Sequence, residues 1–479
     1  MERTLIKDTL AKVGEKVLLK GWVAARRDHG KLLFLDVKDF TGIIQVVVAN
    51  ALVSENIGDW FVLEIEGTVK ERPEKLRNPK LLTGSMEIEA ERVTVINKAD
   101  TPPIPLEGDG YEIGEELRLQ YRYLDLRRDR LITRLKTRAQ LMEIVRHFFQ
   151  RHGFTEIETP QLTKSTPEGA RDFLVPSRLE PGTFYALPQS PQQYKQLLML
   201  STIERYFQFP RCFRDEDLRG DRMLEFTQLD VEMAFTFQEE VLHLTEQLVI
   251  EATELLGKRI QEKPFPRMTF ADSMARYGND KPDLRKDKTD PDLMAYVWIT
   301  DFPMFEEKDD GSLGATHHPF TAIEEGKRGT ASSATPREEI LSLKAQQYDL
   351  ALNGFEVFGG SIREHNPANV MKTFEILGYS KERIERDFGH LLKAFSYGVP
   401  PHGGIASGFD RWLQALTGER SIREVVPFPT SGSGKTAVMD SPSAVEEEQL
   451  EPLGIRVANS KSESRNPKQN RNPNVQNPK

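Results

Sequence analysis

Between Val17 and Ile96 apolar and polar residues alternate in short runs, VLLKGWVAARRD, KLLFLDVKD, GIIQVVVA, FVLEIEGTVKER and SMEIEAERVTVI, parted by Gly, Pro and Asn turns. Alternation of this kind predicts half-buried strands. Five of them in so short a stretch predict a small closed barrel. An OB-fold, which binds single-stranded nucleic acid on one face, is such a barrel, and other small β-barrels fit the same pattern. The pattern breaks at KADTPPIPLE, residues 98–107, whose three prolines among acidic residues predict a stiff hinge. From Tyr111 to Gly153 apolar residues recur at helical spacing within dense charge, and beyond Phe154 β-type segments such as FTQLDVEMAF alternate with helical ones such as EVLHLTEQLVIEATELLGK. This is an α+β pattern. The expected division is a barrel over 1–97, a hinge over 98–125, an α+β domain over 126–456, and a disordered tail over 457–479, where ANSKSESRNPKQNRNPNVQNPK has almost no apolar content.

Composition narrows the class. With 479 residues and 38% hydrophobic content the chain can bury a large core, and it carries neither a run of about 18 apolar residues nor a secretory leader pattern. A soluble, cytoplasmic protein without membrane partners is expected. The one cysteine, Cys212, has no metal-ligand spacing around it and fits a buried thiol in a reducing compartment. A net charge of −9 excludes a protein that grips nucleic acid by bulk charge, so any RNA contact is local and DNA is not an expected partner.

Two distant segments carry arginines suited to phosphate. In FRDEDLRGDRMLEFTQLDVEM, residues 213–233, Arg214 and Glu216 alternate as on a strand and share a face. A guanidinium can pair two hydrogen bonds with a phosphate, although a surface ion-pair ladder would explain these two residues alone. In PPHGGIASGFDRWLQAL, Gly408, Phe409, Asp410 and Arg411 open an apolar helix. SGSGKT at 431–436 is no P-loop, because Pro429 stands where that pattern needs glycine.

FRDE and GFDR together resemble motifs two and three of the class II aminoacyl-tRNA synthetases, and HGFTEIETPQL with Pro160 resembles motif one. TPEGARDFLVP, QSPQQYKQLLM, FTQLDVEM, ATHHPFT and NGFEVFGGSIREHN further resemble the bacterial aspartyl branch, through about residue 456. The resemblance implies an OB-fold anticodon-binding domain and a catalytic domain built on an antiparallel sheet flanked by helices. It implies ATP-dependent ligation of L-aspartate to tRNA through aspartyl-adenylate, in a homodimer joined through motif one. ATP would be held by Arg214, Asp215, Glu216, Met223, Glu356, Gly408, Phe409, Asp410 and Arg411, with Arg214 and Arg411 stabilising charge at the reacting phosphate. Aspartate would be held by Glu168, Ser190, Gln192, Lys195, Arg214, His317, His318 and Arg363, with Glu168 and Gln192 near its α-ammonium, Lys195 and Arg363 clamping its side-chain carboxylate, and Asp230 orienting Lys195. Asp349 and Glu356, which without the resemblance read as helix-surface charges, would hold Mg²⁺. Phe34, Gln45 and Glu87 would meet the anticodon.

Several positions depart from the family pattern. An insertion of roughly a hundred residues in bacterial relatives is reduced here to KDKTDPDLM, 286–294, a loop short enough to close without disturbing a core. Met223 stands where many relatives have a glutamine that touches ATP, and Phe358 interrupts a glycine run, a space-filling position near the ribose. His29 stands where histidine often accompanies relaxed recognition of tRNA(Asp) and tRNA(Asn) and leucine strict recognition of tRNA(Asp). A relaxed enzyme is the expectation. A strict aspartyl enzyme, an asparaginyl or lysyl synthetase and an inactive RNA-binding paralogue are the alternatives.

Overall fold

The computed structural model describes residues 1–52, 56–166 and 169–457, and the tail expected to be disordered lies almost wholly outside the described residues. The chain separates into two compact units, Met1–Pro105 and the remainder from Leu106. In the first, strands β1 (Lys16–Asp28), β2 (Leu32–Asp39), β3 (Gly42–Ala49), β4 (Val62–Glu71) and β5 (Met86–Asn97) close a barrel in the order β1-β2-β3-β5-β4. Only β3 and β5 pair in parallel. Alternation works as the strand period demands: Leu33, Leu35 and Val37 of β2 are buried against Val46 and Ile65, while Phe34, Asp36 and Lys38 lie half-buried on the other face.

The second unit is organised by a nine-stranded sheet. Its strands are β6 (Thr155–Glu156), β7 (Arg205–Gln208), β8 (Arg211–Phe213), β9 (Glu225–Ala234), β10 (Arg267–Thr269), β11 (Tyr296–Thr300), β12 (Gln347–Leu352), β13 (Phe355–Ile362) and β14 (His402–Gly408). They run in the order β10-β11-β12-β13-β14-β9-β7-β6, with β8 also on β9. Pairing is antiparallel except at the two ends, where β10 and β6 run parallel to their neighbours. The core between sheet and helices takes Leu141, Val145, Phe148 and Phe149, one face at helical spacing, from helix α3 (Asp129–Arg151), which follows the short helices α1 (Glu115–Gln120) and α2 (Arg122–Asp125). Phe149 stacks on Phe207 with centroids 4.9 Å apart. Helix α4 (Gln192–Leu198) carries site residues, α5 (Gln238–Leu255) packs beside α3, and α6 (Phe409–Thr417) buries Trp412, Leu413 and Leu416. Each such side chain contributes about 1.5–3 kcal/mol by leaving water.

The hinge expected over 98–125 is shorter than that. Arg118, Arg122 and Asp125 on α1 and α2 are buried, because these charges pair with one another. Asp125 accepts from Arg122 Nη1 at 2.9 Å and from Arg128 Nε at 2.7 Å, Arg118 pairs with Glu424, and Arg122 Nη2 donates to the carbonyls of Arg423 and Val426 at 2.8 and 3.0 Å. Residues 106–125 thus belong to the larger unit.

The shortened loop at 286–294 is stitched down. Lys286 N donates to Gln261 Oε1 at 2.8 Å, Asp287 Oδ1 accepts from the Thr289 amide and hydroxyl at 2.9 and 2.6 Å, and Leu293–Met294 pair in parallel with Arg259–Ile260. Cys212 is buried, its thiol 3.2 Å from Gln228 Oε1.

Candidate functional site

The middle of the sheet carries a line of buried charges. On β9, Gln228, Asp230 and Glu232 alternate to one face, and Lys195 of α4 reaches them with Nζ 2.9 Å from Asp230 Oδ1 and 3.4 Å from Glu232 Oε2. Arg363, just past β13, grips Glu232 at 3.0 and 3.1 Å through Nε and Nη2. Lys195, Asp230, Glu232 and Arg363 are each at most 1% exposed. Two cations face two carboxylates, so the set is neutral before any substrate enters. Gly404 on the adjacent β14 makes room: a Cβ there would run into the Glu232 carboxylate and the Val231 carbonyl. Burial alone would raise the Glu232 pKa, but Arg363 and Lys195 outweigh it and hold the carboxyl below its ordinary value. Asp230 Oδ2 is buried without a hydrogen-bond partner.

The two histidines divide. His318 Nε2 lies 2.7 Å from Arg363 Nη1, which also donates to Ser361 Oγ at 2.6 Å, so His318 accepts and fixes the guanidinium. Desolvation and the neighbouring His317, Arg363 and Lys195 keep His318 well below the ordinary histidine range. His317 is exposed, its ring 4.6 Å from that of His318, and desolvation by its neighbours together with Arg363, Lys195 and Arg214 lowers its pKa. The three cations that depress His317 form a field that favours an entering carboxylate. Ser190 Oγ accepts from the Gln192 amide at 3.2 Å at the start of α4. Glu168 lies outside the described residues.

On the phosphate side, the ladder between β8 and β9 ends at Phe213 and Glu225, with one further bond from Arg214 N to Leu224 O at 2.8 Å. Arg214 therefore sits where the loop leaves the strands, over the Phe226 ring at 5.2 Å, with Nε 3.3 Å from Gln189 O. Glu216 is in the loop, not on a strand as its alternation with Arg214 suggested, because the charged run around Gly220 has no partner strand; it pairs with Arg222 at 3.3 Å. Asp215 pairs with Arg171 at 3.3 Å. Arg411 on the first turn of α6 donates to the carbonyls of Glu356 and Asp221 at 3.3 and 3.4 Å, and its buried Nε has no partner.

Three residues expected at ATP are also tied into the scaffold. Met223 is in the main core. Phe409 is fully buried, edge-on to Phe209 at 5.2 Å. Both Asp410 oxygens are taken, one by Arg138 of α3 and the other by the Thr227 amide of β9 at 2.9 Å, so this carboxylate ties the helix to the sheet. Phe358 is likewise core, edge-on to Trp412 at 4.9 Å. Gly408 is the N-cap of α6.

Asp349 and Glu356 stand on the adjacent strands β12 and β13, not on a helix surface. A Cβ on Gly359 would lie 3.0 Å from Asp349 Oδ1 and 3.5 Å from Glu356 Oε1, so both carboxylates converge over that glycine. Asp349 Oδ1 is buried without a hydrogen-bond partner, and burial together with Glu356 raises the Asp349 pKa well above its ordinary value. An orphaned oxygen beside a second carboxylate fits a hard cation. Among the described residues no group of three or more His, Cys, Asp or Glu side chains is placed to hold a metal ion.

On the barrel, cross-strand pairs Arg27↔Phe34, Asp36↔Gln45 and Gln45↔Glu87 bring one face together. Arg27 holds Asp36 through both nitrogens at 2.8 and 2.9 Å, Gln45 Nε2 donates to Glu87 at 2.9 Å, and Gln45 Oε1 accepts from Arg27 and Arg72 at 3.3 and 3.2 Å. His29 meets the Phe34 ring edge-on at 5.2 Å. Glu232, His402 and Gln196 in the larger unit and Arg27, Asp36 and Arg72 on the barrel were not singled out from the sequence. The period-two spacing of Glu232 from Asp230 in FTQLDVEM was a signal for the first.

A family model described as class II tRNA synthetases (D, K and N) matches residues 114–432, and one described as the OB-fold nucleic acid binding domain matches 17–96. An aspartate--tRNA ligase of Staphylococcus carnosus is 37% identical over 93% of this chain and 97% of its own length. An aspartate--tRNA(Asp/Asn) ligase of a Geobacillus species is 38% identical over 94% and 97%. The first of these alignments spans 577 positions, more than the 479 residues of this chain, so the relative carries residues this chain lacks. Asparaginyl-tRNA synthetase from Pyrococcus horikoshii, complexed with asparaginyl-adenylate, has the same fold with a TM-score of 0.71 at 22% identity, over 90% of this chain and 98% of that one. No helix among the described residues is long and apolar enough to cross a membrane.

Proposed function

Because the chain belongs to the bacterial-type aspartyl-tRNA synthetases of class II, we propose that it joins L-aspartate to both tRNA(Asp) and tRNA(Asn) through aspartyl-adenylate, in the cytoplasm. The observation that carries the amino-acid assignment is the buried Lys195–Asp230–Glu232–Arg363 set, with three cations depressing His317 beside it. A carboxylate side chain completes that field. With Arg214 the pocket sets three cations against the two carboxylates Asp230 and Glu232, an excess that an entering carboxylate offsets, whereas the amide of asparagine would leave it unbalanced and offer donors where acceptors are wanted.

In the proposed reaction the α-carboxylate of aspartate attacks the α-phosphate of ATP, forming the mixed anhydride as pyrophosphate leaves. A terminal ribose hydroxyl of tRNA then attacks the acyl carbon, AMP leaves, and no covalent enzyme intermediate forms. Arg214 and Arg411 hold the phosphates and offset the charge that develops there. Gln192 and Glu168 take the α-ammonium, Ser190 lines the pocket, His317 borders the side-chain carboxylate and His318 holds Arg363 in place. Asp349 and Glu356 would hold Mg²⁺, which supplies charge neutralisation at the phosphate oxygens. The loop residues Asp215 and Glu216 and the backbone at Gly408 border the nucleotide.

Phe34 offers a stacking face to an unpaired anticodon base, with Gln45 and Glu87 at base edges. His29 against Phe34 supports the relaxed reading. Exposed Pro160 and the exposed edge strand β6 support a homodimer through motif one. Parallel charging of tRNA(Asp) and tRNA(Asn) transcripts with labelled aspartate tests the whole reading. Charging of both is expected; charging of tRNA(Asp) alone makes the enzyme strict, and charging of neither despite adenylate formation assigns a tRNA-binding role to the missing insertion.

A further inference from the structure

We propose that His402 and Gln196 are positioning residues that fix which end of the Gln192 amide faces the substrate, so that its carbonyl oxygen meets the α-ammonium of aspartate. This rests on the reading that Gln192 borders that ammonium. The Pro400 carbonyl can only accept, and His402 Nδ1 lies 2.9 Å from it, so Nδ1 carries a hydrogen. His402 is fully buried, and that burial pushes its pKa down to about 4, leaving the ring neutral and Nε2 with a lone pair. Gln196 Nε2, 3.1 Å from it, must therefore donate. The Gln196 amide is thereby oriented, and its Oε1 accepts from Gln192 Nε2 at 3.1 Å. The donor end of Gln192 is spent inside the protein, and its Oε1 is the end left for a cation.

Without such a constraint a glutamine amide can turn over at little cost in shape. Turned over, Gln192 would present an NH₂ group to an ammonium and lose the bond to Gln196. The relay is short and dry, with Gln196 fully buried and Gln192 only 8% exposed. Gln192 and Gln196 lie one turn apart on α4, which also carries Lys195. One helix thus holds the group for the α-ammonium and the cation for the side-chain carboxylate, and the chain leading into β14 sets the polarity of the first.

The test uses the full-length protein, aspartate-dependent ATP–pyrophosphate exchange, and inhibition by succinate, which keeps both carboxylates of aspartate and lacks the ammonium. Gln196→Met removes the relay's middle, and His402→Phe keeps a ring but removes the acceptor. Each is expected to raise KM for aspartate about tenfold with kcat little changed, about the effect of one misdirected hydrogen bond to a charge. The double variant should be no worse than either single one, because both act through one amide. The succinate inhibition constant should stay within about twofold. Equal weakening of succinate and aspartate would show general damage to the pocket and overturn the proposal. Unchanged KM in both variants, while Gln192→Met raises it, would overturn the relay alone. Unchanged KM in Gln192→Met would sink the reading of Gln192 on which the relay stands.

Discussion

The barrel face and the catalytic pocket are built alike and solvated differently. Each is one face of a sheet on which alternate residues are charged or amide-bearing: Arg27, Asp36, Gln45 and Glu87 on the barrel, Gln228, Asp230 and Glu232 on β9. On the barrel the pairs stay wet, with the Arg27 and Asp36 side chains 46% and 21% exposed. In the pocket Lys195, Asp230, Glu232 and Arg363 are removed from water and held by one another. Charges of the first kind are screened and can re-pair with an incoming nucleic acid at small cost. Those of the second kind cannot rearrange, which suits discrimination between a carboxylate and an amide.

The contrast is broken most directly at Arg363. Arg363→Met leaves Glu232 buried without its main counter-ion, which should cost about 3–5 kcal/mol of stability, and it removes a cation from the aspartate pocket, so kcat/KM for aspartate in pyrophosphate exchange should fall by roughly 10²–10³-fold. A fall of only a few-fold would mean that the pocket charges are as screened as the barrel's. Phe34→Ala comes next. It should raise KM for tRNA by about tenfold, the effect of one lost base stack, and leave tRNA-independent exchange unchanged. His29→Leu should cut charging of tRNA(Asn) a few-fold and spare tRNA(Asp), as read by parallel initial rates. Asp36→Asn should do least, about twofold in KM for tRNA at low salt and nothing at high salt, because it frees an exposed pair.

Elements whose role follows from period alone were legible before any coordinates. The five barrel strands and the α3 core face are of that kind. Site residues were legible only through the resemblance, which does not say which of them turn inward. In GFDR, Arg411 lies toward Glu356 and Asp221, while Phe409 and Asp410, two positions away or less, turn into the core and toward Arg138. Met223 is hidden for the same reason. Glu232 was missed although it shares the spacing of Asp230, because a carboxylate read alone looks solvated and only the positions of Lys195 and Arg363 reveal that it is paired. Residues 106–125 fall with the larger unit for a reason no local pattern carries: Arg118 pairs with Glu424, some three hundred residues later.

The buried cation set selects a carboxylate. Amino-acid-dependent ATP–pyrophosphate exchange, run with purified protein on L-aspartate and L-asparagine side by side, measures that selection without tRNA. The expected result is robust exchange with aspartate and a kcat/KM for asparagine lower by at least about 10³-fold, since asparagine leaves the pocket's excess positive charge unbalanced. Comparable exchange with both amino acids, or a preference for asparagine, would contradict the assignment.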